Sequence, residues 1–373
     1  MGISIREVTE PHHLKRFVKF PMKLYKDNPY FVPPLISEEL KTLDRSQNPV
    51  FKNAESIYFL AYDKGKLVGR IAAMINWKEV NEQKKRKLRF GWFDFVDDLE
   101  VSAKLLEHVM DFGRYKQMEW IEGPVGFSNL DKAGLLVEGF DKLPTIVTWY
   151  NAPYYEKHLL HHGFQKASEW IEFELKVPEA LPEKVNKFSD LVMERYDLRI
   201  KKFKNKDELR EVVKPMFQLL DKTYGHLSSY VPFKPEQIRN YEEKYINLIN
   251  KDFVSVLEDA DKNLVAFAIT MPSYSKALQK AGGKLFPFGW YHLMQANRKN
   301  DSAAFYLIGI DPQYQGKGVT AIIFREMFDT FRKYGIKYLE TNPELEENKN
   351  VQALWRNYEP VLHKRRRSYR KDL

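Results

Sequence analysis

From residue 319 onward the apolar side chains fall at Val319, Ile322, Ile323, Met327 and Phe331, the spacing of an amphipathic helix with one face on a sheet. Directly upstream, Phe305 to Ile310 form an apolar run of strand length, and "DPQYQGKG" separates the two. The same succession occurs earlier in the chain: "RFGWFDFVDDLEVSAKLLEHVMDFGRYKQMEWIEGP" (89–124) parallels "AFYLIGIDPQYQGKGVTAIIFREMFDTFRKYGIKYLETNP" (304–343). Each reads strand, turn, amphipathic helix, strand. Such a crossover unit places two strands of like direction in one sheet.

The repetition extends upstream. "ISIREVTEPHHLKRFVKF" (3–20) matches "LRIKKFKNKDELREVVKP" (198–215), each a short alternating strand, a polar turn and a helical pattern. "FLAYDKGKLVGRIAAMIN" (59–76) matches "VSVLEDADKNLVAFAITM" (254–271), each a hairpin signature. The offset is 195 residues for both and 215 for the later units. The difference lies in an aromatic and glycine-containing insertion of the second copy, 273–300, and the first copy has its own insertion at 125–150. Between the copies, "VPEALPEKVNKF" (177–188) holds two prolines and charge. The expectation is therefore two α+β domains, 1–178 and 198–373, each a mixed sheet with helices on both sides, joined by a linker at 179–197.

Composition narrows the chemistry. There is no cysteine among the 373 residues, so any group transfer proceeds without an acyl-cysteine intermediate, and a cytoplasmic location is expected. No apolar run reaches the length of a membrane span, and the N-terminus lacks a signal pattern. The net charge of +9 favours polyanionic partners, from nucleic acid and anionic lipid to a phosphorylated cofactor, without choosing among them. The turn at 315–320 chooses. A helix N-terminus attracts anions, and glycines let successive N–H groups converge on one. Gly316 and Gly318 flank Lys317 at the strand-to-helix junction, which suits a diphosphate.

This junction resembles the acyl-CoA-binding motif of the GCN5-related N-acetyltransferase (GNAT) superfamily, Gln/Arg-x-x-Gly-x-Gly/Ala. The motif maps onto Gln315, Gly316, Lys317, Gly318, Val319 and Thr320, with Thr320 in place of Gly or Ala. The family's late helix, Asn followed by small or aromatic residues, Tyr and Gly-Phe, is matched by "NAPYYEKHLLHHGF" (151–164). In the second copy it is matched by Asn350, Ala353 and Tyr358 without the Gly-Phe.

The resemblance implies a tandem GNAT protein that transfers an acyl group, most simply from acetyl-CoA, to a small-molecule or peptide amine by direct attack. It implies a pyrophosphate held by the backbone of Gln315 to Thr320, with Asn350, Ile308 and Ile310 also on the cofactor. It further implies Glu340 as base, Tyr358 as acid, and Tyr224, His226 and Asn342 on the acceptor side. No metal, nucleic-acid or membrane partner follows from it. The alternatives are an aminoacyl-tRNA-dependent ligase of similar fold and a non-catalytic acyl-CoA-binding protein.

At the corresponding turn the first copy carries Asp97, Asp98 and Glu100. Carboxylates repel a diphosphate, so this copy is expected to be degenerate. Two further patterns have plain readings. His158 and His162, four apart without a third ligand, read as an exposed helix face, and "HKRRRSYRK" (363–371) reads as a solvated terminal strand.

Overall fold

The computed structural model describes residues 2–128, 130–225, 231–246 and 248–373. In chain order its elements begin β1 (Ser4–Glu7), α1 (Pro11–Leu24), α2 (Ile36–Leu43), β2 (Ala54–Asp63), β3 (Lys66–Asn76), α3 (Trp77–Asn81), β4 (Lys87–Phe95), α4 (Leu99–Tyr115) and β5 (Trp120–Gly123). Next come β6 (Leu135–Glu138), α5 (Tyr154–His161), β7 (Gln165–Lys176), α6 (Glu183–Arg195), β8 (Arg199–Ile200), α7 (Lys206–Tyr224) and α8 (Pro235–Tyr245). The chain continues through β9 (Val254–Glu258), β10 (Leu264–Pro272), α9 (Ser275–Ala281), α10 (Gly289–Arg298), β11 (Ser302–Ile310) and α11 (Val319–Tyr334). It closes with β12 (Tyr338–Thr341), β13 (Glu344–Leu345), α12 (Lys349–Trp355) and β14 (Val361–Asp372).

Two compact units result. The first comprises Met1–Ile171, Ser275–Trp290 and His363–Leu373, and the second Glu172–Tyr274 and Tyr291–Leu362. In the first unit the strands run β1-β2-β3-β4-β5-β14; in the second, the last part of β7 (172–176) is followed by β12-β11-β10-β9-β8. The expected crossovers are present: β4 pairs β5 in parallel and β11 pairs β12 in parallel, each through one helix. Period-two alternation loads both faces of each sheet. Phe59 and Ala61 enter one core of the first unit while Tyr58 and Leu60 enter the other. In the second unit Ala266 and Ala268 face one core and Phe267 the other. The fold is α+β with mixed sheets, as the pattern predicts.

Three boundaries differ from the expectation. The segment read as a linker holds helix α6, whose Val192 and Ser189 are buried. Arg325 of α11 donates to the Asp190 carboxylate at 2.6 Å and to the Asn186 carbonyl, fixing α6 to its neighbour. Pro182 is the N-cap of this helix; proline is tolerated at helix starts, so the residue that suggested a linker is a start signal. The insertion residues 275–290 belong to the first unit rather than the second. The terminal strand also belongs to the first unit, where Tyr369 to Asp372 pair antiparallel with Gly123 to Trp120 of β5. It is no solvated strand: Lys364, Arg366 and Ser368 are buried. Its cations are met by carboxylates, Arg365 and Arg367 at Glu169 and Arg367 also at Glu156.

Candidate functional site

The second unit carries an open strand edge. Parallel pairing of β11 with β12 runs from Ser302↔Tyr338 to Phe305↔Thr341 and ends there, whereas β11 continues to Ile310. On its other side Asp311 N–H donates to the Val265 carbonyl, and Ala268↔Ile308 and Ala266↔Ile310 are paired. Hydrogen-bonded and non-bonded pairs alternate in an antiparallel ladder. Asp311 being bonded toward β10, Ile308 and Ile310 present their N–H and C=O groups to the opposite, unpaired side.

Side chains cap the carbonyls along this edge. Tyr306 C=O accepts from Asn342 Nδ2 at 3.3 Å, and Ile308 C=O accepts from the Tyr224 hydroxyl at 2.9 Å. Ile310 C=O accepts from Gln315 Nε2 at 3.2 Å. Gln315, Tyr224, Asn342, Ile308 and Ile310, separated by up to 118 positions between Tyr224 and Asn342, thus meet on one edge.

The turn that follows has the conformation its glycines imply. Gly316 and Gly318 have φ of +73° and +84°, the left-handed region that a Cβ penalises. A Cβ added at Gly316 would meet nothing within 4 Å, so this side of the turn is open. At Gly318 it would meet the Phe188 ring at 2.6 Å, so α6 lies against that residue. Val319 and Thr320 begin α11, and their N–H groups have no intrahelical acceptor. Open approach at Gly316 and free first-turn amides fit a diphosphate. Lys317 Nζ stands 5.3 Å from the Tyr196 ring centroid and 5.6 Å from that of Tyr314, held beside the turn by cation–π attraction.

Sequence reasoning missed Glu344. It is buried, its Oε1 accepts from Trp355 Nε1 at 2.6 Å, and its Oε2 has no hydrogen-bond partner. Burial lifts its pKa to about 8 against the pull of hydrogen bonds from Trp355 and Thr341. Its charge also acts on Tyr224, whose phenol burial and Glu344 together push up to about 12. An orphaned carboxylate oxygen thus stands near the edge tyrosine, on a carboxyl that burial has pushed far above the usual range. The only signal in the sequence was its position just past the strand "KYLETN".

Glu340 lies instead in the paired part of β12, opposite Ala304 on one side and Glu174 on the other, with its charge felt by the buried Tyr306 phenol. Tyr358 packs its ring at 5.3 and 5.0 Å from Phe324 and Phe328 of α11, and burial raises its pKa. Asn350 is exposed in the first turn of α12, whose cap is Asn348. His226 lies outside the described residues.

In the first unit the corresponding turn is filled by the chain's own acids. Asp98 caps α4 by accepting from Glu100 N–H at 2.8 Å, and Glu100 accepts from Ile3 N–H. Asp97 meets His158 Nε2 at 2.9 Å, while His158 Nδ1 and His162 Nε2 both lie 2.8 Å from Ser102 Oγ. His158 is buried rather than on an exposed face. The helix packs onto the turn, and Asp97 and Ser102 satisfy the imidazole there.

No protein-family profile matches the chain. It is 25% identical to protein YghO of Escherichia coli over 376 residues, covering 99% of this chain and 95% of that one. It is also 25% identical to a bacterial ceramide synthase of Caulobacter vibrioides over 389 residues, covering 100% and 98%. Among solved structures, a tandem GNAT protein from the clavulanic acid biosynthesis pathway superposes with a TM-score of 0.59 at 11% identity, covering 99% of this chain and 98% of that one. With a crossover unit in each copy and likeness along its whole length, the chain has the fold of the tandem GCN5-related N-acetyltransferases.

Proposed function

We propose that the protein is an acyl-CoA-dependent N-acyltransferase whose reaction takes place in the second unit. The observation that carries this reading is the unpaired edge of β11 running into the open turn at Gly316, with the orphaned Glu344 oxygen beside it. The diphosphate of CoA lies on the amides of Gln315 to Thr320 and the acyl carbonyl on the N–H groups of Ile308 and Ile310. Those donors stabilise the oxyanion as the amine nitrogen bonds to the thioester carbon. Glu344 Oε2 takes the proton from the amine, the C–S bond breaks, and the CoA sulfur leaves with a proton from Tyr358. Products are the amide and free CoA. A base with a pKa of about 8 suits an ammonium that must be deprotonated near neutral pH.

Acetyl-CoA is the first donor to test, with longer acyl-CoAs beside it. Ceramide is an N-acylated long-chain amine, so the relative named for its synthesis makes a long-chain amino alcohol the first acceptor to test. The chain contains no cysteine, so release of the CoA thiol reads out without background from the enzyme. Thiol release dependent on both acyl-CoA and amine supports the proposal. CoA binding without turnover over a broad amine panel would reduce the protein to a binding module, and absence of CoA binding would reject the site.

A further inference from the structure

We infer that the loop between α9 and α10, together with the first turn of α10, docks the protein on the surface of an anionic lipid bilayer. The inference does not depend on the proposed chemistry. Over Leu285 to Trp290 the chain reads "LFPFGW", and Phe286, Phe288 and Trp290 are 79, 69 and 48% exposed. Elsewhere among the described residues the large exposed apolar side chains stand singly or in twos. An apolar cluster of this kind on a surface marks an interaction site.

The loop is built to hold these rings outward. Trp290 N–H donates to the Leu285 carbonyl at 2.9 Å, and Trp290 Nε1 donates to the Pro287 carbonyl at 2.9 Å. A Cβ at Gly289 would stand 1.9 Å from the Lys284 carbonyl oxygen, so the chain closes on itself there as only glycine permits. The base of the loop is tied to the body of the first unit. Gly283 C=O accepts from Ile36 N–H, and Gln279 Nε2 donates to the carbonyls of Pro29 and Phe31. A fixed loop presents its aromatics without an ordering cost at each encounter.

Charge selects the partner. No Asp or Glu occurs from Ser275 to Trp290, the part of the first unit that holds Lys276, Lys280 and Lys284. Lys280 and Lys284 are exposed on either side of Gly282 and Gly283, immediately before the aromatic tip. Aromatic rings favour the headgroup level, Trp and Tyr with one wet end, and lysines near the surface add attraction to anionic lipid. A neutral or basic protein surface would use the rings but not the one-signed stretch. That no helix of the described residues is long and apolar enough to cross a membrane is compatible with this peripheral mode.

The test is flotation of the full chain with vesicles of phosphatidylcholine containing about one-third phosphatidylglycerol, against pure phosphatidylcholine. The wild type should float with the anionic vesicles and be released by salt. F286S/F288S should lose at least about tenfold in partitioning, from the apolar area withdrawn, with an unchanged melting temperature because both rings are exposed. K280E/K284E should lose binding to anionic vesicles. Leu160→Ser, an exposed apolar site elsewhere on the same unit, should float like the wild type. Failure of the wild type to float overturns the inference, and so does equal loss in Leu160→Ser. It is also overturned if F286S/F288S changes only the self-association of the protein and leaves flotation intact.

Discussion

Replacing Glu344 by Gln separates what this residue does for chemistry from what it costs the fold. Gln keeps the oxygen that accepts from Trp355 Nε1 and removes the charge. In the folded protein the carboxyl titrates at about 8, raised by burial, against an ordinary 4.5. Because the folded form holds its proton more tightly, the contribution to stability is complete below pH 4.5 and is lost as pH rises through about 8. At about 1.36 kcal/mol per pH unit, the wild type forfeits roughly 3 kcal/mol by pH 7 and approaches 5 kcal/mol by pH 9. Glu344→Gln should therefore be more stable than the wild type by a few kcal/mol at pH 9 and nearly equal to it at pH 4.5.

Activity should move the other way. As a base, Glu344 must be ionised, so kcat/KM of the wild type should rise with unit slope to a midpoint near pH 8. In Glu344→Gln that limb should vanish and the rate fall by about 10²–10⁴, with little change in KM for acyl-CoA. Thermal melts at pH 4.5, 7 and 9 and thiol release over the same range read both effects on one preparation. A variant that melts lower at pH 9, or one that keeps the limb, would refute the reasoning.

Gly316→Ala and Gly318→Ala should differ. Both incur about 1–2 kcal/mol for a left-handed alanine, but only the second collides with Phe188, so Gly318→Ala should melt lower while Gly316→Ala mainly weakens CoA binding in calorimetry. Lys317→Glu should weaken CoA by roughly 1 kcal/mol, an exposed charge being partly screened, and unchanged affinity would remove the turn from the binding site. Glu340→Gln should cost less than about threefold in kcat if Glu344 is the base, and a loss of about 10²-fold or more would return that role to Glu340. In the first unit, Glu79 is buried and its charge opposed by that burial, yet Arg89 at 2.6 and 2.8 Å and Lys87 at 3.2 Å hold it down to about 2. Its stabilisation is present above pH 4.5 and lost as pH falls toward 2, and Glu79→Ala should destabilise by about 3–5 kcal/mol in denaturant melts.

The repeat, the two crossovers and the glycine turn at the strand-to-helix junction were legible in the chain because each is local. Period-two and helical spacing report burial of an element on its own axis, and glycine reports backbone conformation at its own position. Gly316 and Gly318 take the left-handed φ that their type permits. Glu344, the covering of Gly318 by α6 and the fate of β14 were not legible. "HKRRRSYRK" has no apolar face, so pattern alone places it in water. Only pairing with β5 and the facing carboxylates of Glu169 and Glu156 make it an interior strand. Likewise a carboxylate's pKa depends on what surrounds it rather than on its neighbours in sequence. Glu344 lies just past the end of the β11–β12 ladder, where burial raises its carboxyl and its charge acts on Tyr224 of the distant helix α7, while Glu340 lies inside the ladder. Local order was written in the sequence, whereas desolvation and strand partnership arise only when segments far apart in the chain come together.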